Sequence, residues 1–312
     1  MSMIAEQTYL TPNTIDQALA YGLENEGSFK YLAGGTDIMA NRFHGNETSP
    51  CLIDLSQISD LKEHSVTSDY LRIGSLVKLY DLKKISGIKE QFPVMLEAAL
   101  AVGSPIIRKS ATLGGNLLCE NRCLFYNQSE WWRESIGACL KCGGDICIAT
   151  KGKNACFSEI VSDMAPYLIS IDAELEIVDH SGTQKIRLEN LYTGDGVHPR
   201  SIDDKSIITS ILIPLNRGFK SVFKKLRQRQ SLEFTSLTTA VSVDNTNQVK
   251  IALGGVDPKV IVVNGSAESD KQELIKTSIK GARAVDNDMF SRNYRRQMIK
   301  VYLENSFDVL GL

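Results

Sequence analysis

Apolar and polar positions alternate in short blocks along most of the chain, and the period of each block predicts an element. Thr14-Ile15-Asp16-Gln17 has the form of a capping box and predicts a helix running through Ala18 and Leu23. Phe29-Lys30-Tyr31-Leu32 reads as a short strand, followed by Ala33-Gly34-Gly35-Thr36-Asp37-Ile38 and a helix. Cys51-Leu52-Ile53-Asp54-Leu55 and Leu71-Arg72-Ile73-Gly74 read as buried strands, and 79–85 and 93–102 carry helical spacing. Beyond Pro166 the pattern becomes strand-like, with Leu168-Ile169-Ser170-Ile171, then 173–178, a turn at His180-Ser181-Gly182, and Lys185-Ile186-Arg187-Leu188 returning. The segment 194–199 is loop and 206–214 is a strand that ends at a boundary, placing a domain junction near Leu215-Asn216-Arg217-Gly218. In the remainder, 238–243 and 249–253 flank the polar turn Asp244-Asn245-Thr246-Asn247 as an antiparallel hairpin. Val260-Ile261-Val262-Val263 adds a strand, and helices follow at about 269–280 and 291–305. Strands and helices mix on both sides of the junction, which predicts α+β or mixed α/β folding.

The bulk properties narrow the class. The 312 residues suffice for two domains with separate cores. A net charge of −2 without a long basic run disfavours nucleic acid as a partner. No apolar run approaches the roughly 18–20 residues that span a bilayer, so no membrane association is expected. The start, Met1 to Thr8, lacks the basic head and apolar core of a signal peptide, and the expected location is cytoplasmic. In that compartment the seven cysteines read better as metal ligands than as disulfides.

Two stretches share one grammar: an apolar strand end, paired glycines, then small polar residues. They are Leu32 to Asp37 and Thr112-Leu113-Gly114-Gly115-Asn116. Paired glycines let the backbone approach a bulky anion and aim successive N–H groups at it. Thr36 and Thr112 add hydroxyls, and Asn116 can bond a sugar or a ring edge. Neither stretch matches a Rossmann or P-loop fingerprint. Taken singly, each is equally readable as a tight turn between a strand and a helix. Six cysteines, Cys119, Cys123, Cys139, Cys142, Cys147 and Cys156, follow the second stretch before Ser162-Asp163-Met164-Ala165-Pro166. The four histidines are scattered and form no catalytic pattern.

The motifs occur in a telling order: Leu32-Ala33-Gly34-Gly35-Thr36-Asp37, Ile73-Gly74-Ser75-Leu76, Arg108-x-x-Ala111-Thr112-Leu113-Gly114-Gly115-Asn116-Leu117, Ser162-Asp163-x-Ala165-Pro166, then Phe223-Lys224-Lys225-Leu226-Arg227-Gln228-Arg229. This set resembles the FAD-binding subunits of the molybdenum hydroxylases, the xanthine dehydrogenase and carbon monoxide dehydrogenase flavoprotein family. The resemblance implies an α+β fold: a two-lobed FAD-binding domain of the vanillyl-alcohol-oxidase (PCMH) type over 1–215, and a small C-terminal α/β domain over 216–312. It implies that Ala33, Gly34, Gly35, Thr36 and Asp37, flanked by Leu32 and Ile38, grip the pyrophosphate of FAD. Thr112, Gly115 and Asn116 would contact the phosphate and ribityl region, Asp163 would hold a cofactor hydroxyl, and Lys225 rather than Lys224 would approach the flavin. A solvated charged strand remains the other reading of both lysines.

Members of the family it resembles pass from Gly-Gly-Asn-Leu to Ser-Asp within a short stretch, whereas here an insertion of about 118–160 lies between them. The cysteines and the run Asn127-Gln128-Ser129-Glu130-Trp131-Trp132-Arg133-Glu134-Ser135 are similar to the β-subunits of 4-hydroxybenzoyl-CoA reductases. This implies a 4Fe–4S cluster on Cys123, Cys139, Cys147 and Cys156, since soft thiolates suit iron–sulfur or zinc. Cys139-x-x-Cys142 leaves open Cys142 as a ligand, or a structural zinc, although a zinc ribbon wants two such pairs. Cys119 and Cys142 read as free thiols, Cys51 as a buried strand residue, and Trp131 and Trp132 as packing that seals the insertion. The resemblance further implies a molybdopterin-binding large subunit and a small 2Fe–2S subunit as partners in a dimer of heterotrimers, with a ferredoxin-like donor. Electron transfer for reductive dehydroxylation of 4-hydroxybenzoyl-CoA is the leading expectation. Purine or heterocycle oxidation, or a zinc-stabilised binding module, are the alternatives.

Overall fold

The computed structural model describes residues 7–312, which form three sheets. The first is a small parallel sheet in which Cys51–Asp54 lies between Thr8–Leu10 and Phe29–Leu32. Its helix, Ile15–Glu24, starts where the Thr14 hydroxyl accepts the Gln17 N–H at 3.2 Å, so the capping box is real on that side. Ala18 and Leu19 turn inward onto Phe29, Cys51 and Ile53. Strand Phe29–Leu32 then delivers the first glycine stretch directly to the start of helix Ile38–Phe43.

The second sheet has five antiparallel strands in the order His64–Val66, Tyr70–Gly74, Ile207–Pro214, Glu174–Asp179, Gly182–Arg187. Strand Ile207–Pro214 is central, and only its closing proline is not fully buried. Helices Pro93–Ala101 and Met164–Ser170 share the large core with this sheet. The run Leu168 to Ile171, expected as a strand, belongs to the helix Met164–Ser170. All seven of its residues are buried, so the apolar run shows no face, and periodicity cannot separate a buried helix turn from a buried strand.

The third sheet is antiparallel, ordered Ile261–Ser266, Gln248–Gly254, Leu237–Val243, Lys220–Leu226. Helices Lys271–Gly281 and Arg292–Leu310 contribute Ile275, Ile299, Leu303 and Phe307 to its core. The expected hairpin, last strand and two helices are all present, the final helix extending further than expected. A mixed α/β architecture of this kind is the fold expected from the sequence. Among the described residues no helix is long and apolar enough to cross a membrane.

Candidate functional site

A cleft of about 760 Å³ runs between the parallel sheet and the five-stranded sheet. Both glycine stretches open onto it. Ala33, Gly34, Gly35, Thr36, Asp37 and Ile38 line one wall, and Thr112, Gly115, Asn116 and Asp163 another. Leu32 and Lys225 do not line it: Leu32 is buried at its strand end, and Lys225 stands behind Asp163.

The walls meet backbone to backbone. A Cβ at Gly34 would lie 2.1 Å from the carbonyl oxygen of Ser110, so the first stretch seats directly against the lead-in to the second. Only glycine permits that approach. The second stretch, read as a turn, is the helix Leu113–Leu117, capped by the Thr112 hydroxyl accepting the Gly115 N–H at 3.1 Å. Asn116 fixes the third piece: its side-chain oxygen accepts from the Ser162 hydroxyl at 2.8 Å and the Met164 N–H at 3.3 Å. The Ser-Asp motif is thereby tied to the Gly-Gly-Asn motif across the inserted segment.

Charges in the cleft are held in pairs. Asp37 forms an ion pair with Arg122, and its other oxygen accepts the Glu120 N–H at 2.9 Å and the Asn41 amide at 3.1 Å. A carboxylate in an anion cradle would repel its ligand unless neutralised, and Arg122 supplies the neutralisation. The Arg122 guanidinium also lies 4.7 Å from the Phe234 ring centroid, and that ring lines the cleft. Asp163 is paired with Lys225 at 2.6 Å, with side-chain exposures of 5% and 3%. The same ammonium donates to the Ala101 carbonyl at 2.9 Å and the Glu233 carbonyl at 3.0 Å, so all its protons are engaged. Burial pushes the Asp163 carboxyl up and the Lys225 ammonium down, each opposed by the other's charge. Thr238, directly opposite Lys225 in the strand pair, also reaches toward Asp163.

The insertion makes a second, smaller cavity. Cys123, Cys139, Cys147 and Cys156 all line it, with Phe125, Leu140 and Ile148 as apolar wall. Cys142 lies outside, its thiol raised in pKa by its hydrogen bond to Cys139 and by burial, and Cys119 faces the larger cleft. Burial pushes the Cys123 thiol up to about 12 in the metal-free chain. The loop closes tightly: a Cβ at Gly196 would sit 2.8 Å from Cys156 Sγ. Among the described residues no three His, Cys, Asp or Glu side chains converge on the site of a single ion. Trp131 does not seal this loop: it is 74% exposed because its helix, Glu130–Ile136, turns Arg133 inward to the His44 and Gln128 carbonyls instead, while Trp132 is half-buried.

Arg122, Glu120, Tyr126 and Phe234 were not legible in the sequence, because their partners lie far away in the chain, Asp37 being 85 positions from Arg122. Tyr126 is notable in lining both cavities.

Comparison with known proteins gives these cavities a context. The family model described as "FAD binding domain in molybdopterin dehydrogenase" matches residues 4–216. The aldehyde oxidoreductase FAD-binding subunit of Escherichia coli is 29% identical, over 81% of this chain and 82% of its own. The glyceraldehyde dehydrogenase medium chain of Sulfolobus acidocaldarius is 20% identical over 97% of each chain. A solved chain of carbon monoxide dehydrogenase from Oligotropha carboxidovorans superimposes with a TM-score of 0.76 over 98% of each chain at 18% identity, a likeness of fold.

Proposed function

The chain belongs to the family of FAD-binding domains in molybdopterin dehydrogenases, an oxidoreductase subunit, and on that premise we propose that it carries FAD and a 4Fe–4S cluster and relays electrons between them. One observation carries the second half of this reading. The four cysteines that the resemblance points to line a single cavity that shares the wall residue Tyr126 with the flavin cleft.

Each site fits its group. The cleft offers a backbone cradle at Gly34–Gly35, capped N–H groups after Thr112, and neutralised carboxylates at Asp37 and Asp163. Ala33 to Asp37 hold the pyrophosphate, flanked by Ile38. Thr112, Gly115 and Asn116 lie along the ribityl chain, and Asp163 takes a cofactor hydroxyl. Lys225 acts through Asp163, holding its carboxylate in place. The four thiols supply the soft donors that iron–sulfur chemistry requires, in a small pocket walled on part of its surface by Phe125, Leu140 and Ile148. Bound FAD exchanges electrons singly or in pairs, the cluster singly, and the protein's part is to position and tune them.

As in the relatives, which are named as subunits or chains of larger enzymes, the subunit works within a complex. We place it beside a molybdopterin-binding large subunit and a small 2Fe–2S subunit, in a dimer of heterotrimers. The reaction assigned is removal of the phenolic hydroxyl of 4-hydroxybenzoyl-CoA as water, consuming two electrons and two protons, with a ferredoxin-like donor. A second reading keeps FAD and makes the complex an aldehyde or heterocycle dehydrogenase. The names of the relatives favour it.

Anaerobic reconstitution of the full chain tests both halves. The expected result is a flavin spectrum together with iron near four per chain. Flavin without iron overturns the cluster assignment, and zinc in place of iron overturns it in favour of a structural metal. Assay of the assembled complex with 4-hydroxybenzoyl-CoA, an aldehyde and xanthine then separates the two reactions.

A further inference from the structure

The wall between the two cavities holds one buried cation that neither cofactor cradle uses. Lys141 lies between Cys139 and Cys142 in the chain and lines the cysteine cavity, with its side chain 5% exposed. Its ammonium donates to Glu120 Oε1 at 2.6 Å and to the Gly196 carbonyl, and it lies 5.1 Å from the Tyr126 ring centroid. Glu120 faces the other way. It lines the flavin cleft, and its backbone N–H donates to Asp37. The ion pair therefore stands across the partition with its positive end at the thiols and its negative end at the flavin. A pair oriented in this way is a fixed dipole between two sites that both gain negative charge on reduction.

We propose that the Lys141–Glu120 pair sets the gap between the two reduction potentials, raising that of the group held by the cysteines and lowering that of the flavin. This rests on the reading of the cysteine cavity as an iron–sulfur site. Four thiolates around iron carry net negative charge, and one further electron is easier to accept beside a buried ammonium than beside an alkyl chain. The Glu120 carboxylate acts in the opposite sense on the flavin. The Lys141 end is buried and so weakly screened, while Glu120 is 36% exposed at the cleft; Tyr126 lines both cavities between them. Lys141 and Glu120 are positioning residues in this account, since they act on potentials without contacting reacting atoms.

The test is a spectroscopic redox titration of the reconstituted holoprotein, following flavin and cluster separately. Lys141→Met lowers the cluster midpoint, so that at a fixed poise its reduced-to-oxidised ratio falls about tenfold. Glu120→Gln raises the flavin midpoint, and Lys141→Arg, which keeps the charge, stays near the parent protein. A Lys141→Met protein that holds iron and flavin with both midpoints unmoved overturns the link, as does an Arg variant shifted as far as the Met variant. If Lys141→Met fails to load iron, Glu120→Gln decides: an unmoved flavin midpoint overturns the link. A parent chain that takes up no iron overturns the cluster reading itself and is recognised separately, by metal analysis.

Discussion

The flavin cleft and the cysteine loop share a wall but are built by opposite means. Residues lining the cleft are placed by regular elements: Ala33 follows a strand, Thr112 caps a helix, Asn116 lies within it and Asp163 precedes a buried helix. Their positions follow from backbone ladders and a packed core, and the charges are already paired. The cysteine loop contains one short helix, one helical turn and isolated bridges at Arg122–Glu159 and Cys139–Ile146. It buries Cys139, Cys147 and Cys156 and half-buries Cys123, with little backbone pairing to hold them. The contrast teaches that one site is a product of the fold, while the thiols of the other are held with far less help from it.

Four experiments would break or sharpen that contrast. The largest effect is expected from Cys147→Ser, which removes one of the four thiols. Iron falls to background while flavin content stays near that of the parent, read by metal analysis and absorbance; loss of flavin alongside iron would show the two regions to be one cooperative unit. Next, Asp163→Asn leaves the Lys225 charge buried without its partner. It costs about 3–5 kcal/mol in denaturant unfolding, with flavin lost and the cysteine loop still able to take iron. Gly34→Ala comes third. Its Cβ meets the Ser110 carbonyl, so the two glycine stretches are forced apart at a cost of roughly 1–3 kcal/mol, together with weaker flavin binding in a fluorescence titration.

The smallest effect is a control outside both regions. Burial raises the Asp244 carboxyl, but hydrogen bonds from Thr246, Arg217 and the Gln248 and Thr246 N–H groups outweigh it and hold the pKa at about 2. A depressed acid adds stability above its unfolded value of 3.8, and that stability is lost as pH falls toward 2. Asp244→Asn should flatten acid unfolding across that window without altering flavin or iron content.

Much of this was legible in the sequence, for reasons that differ by residue. The motifs from Leu32 to Asp37 and from Thr112 to Asn116 were legible through their paired glycines and their order among the other motifs, although the second pair lies within helix Leu113–Leu117 and not after a strand. The four cysteines were picked out of six by the resemblance alone, since Cys119 and Cys142 share the segment and spacing left Cys142 open. The helix Met164–Ser170 was misread because its burial on all sides erased any period. Trp131 was misread because aromaticity says nothing about which face a helix turns outward. Arg122, Glu120 and Lys141 were invisible for another reason. Their meaning lies in partners brought together by the fold, and neither propensity nor spacing encodes a pairing such as Asp37 with Arg122.

One set of contacts has a consequence in time. The insertion is clamped by the end of the chain: Arg295 pairs with Glu159 and bonds the Gly255 carbonyl, Asn287 donates to the Phe157 carbonyl, and the Asn287 carbonyl accepts from Leu124. Arg295 follows Glu159 by 136 residues. At ribosomal speeds that is on the order of ten seconds during which the thiols exist and their clamp does not. The cysteine loop is thus free of this clamp for a window during synthesis, which arrival of the last helix closes.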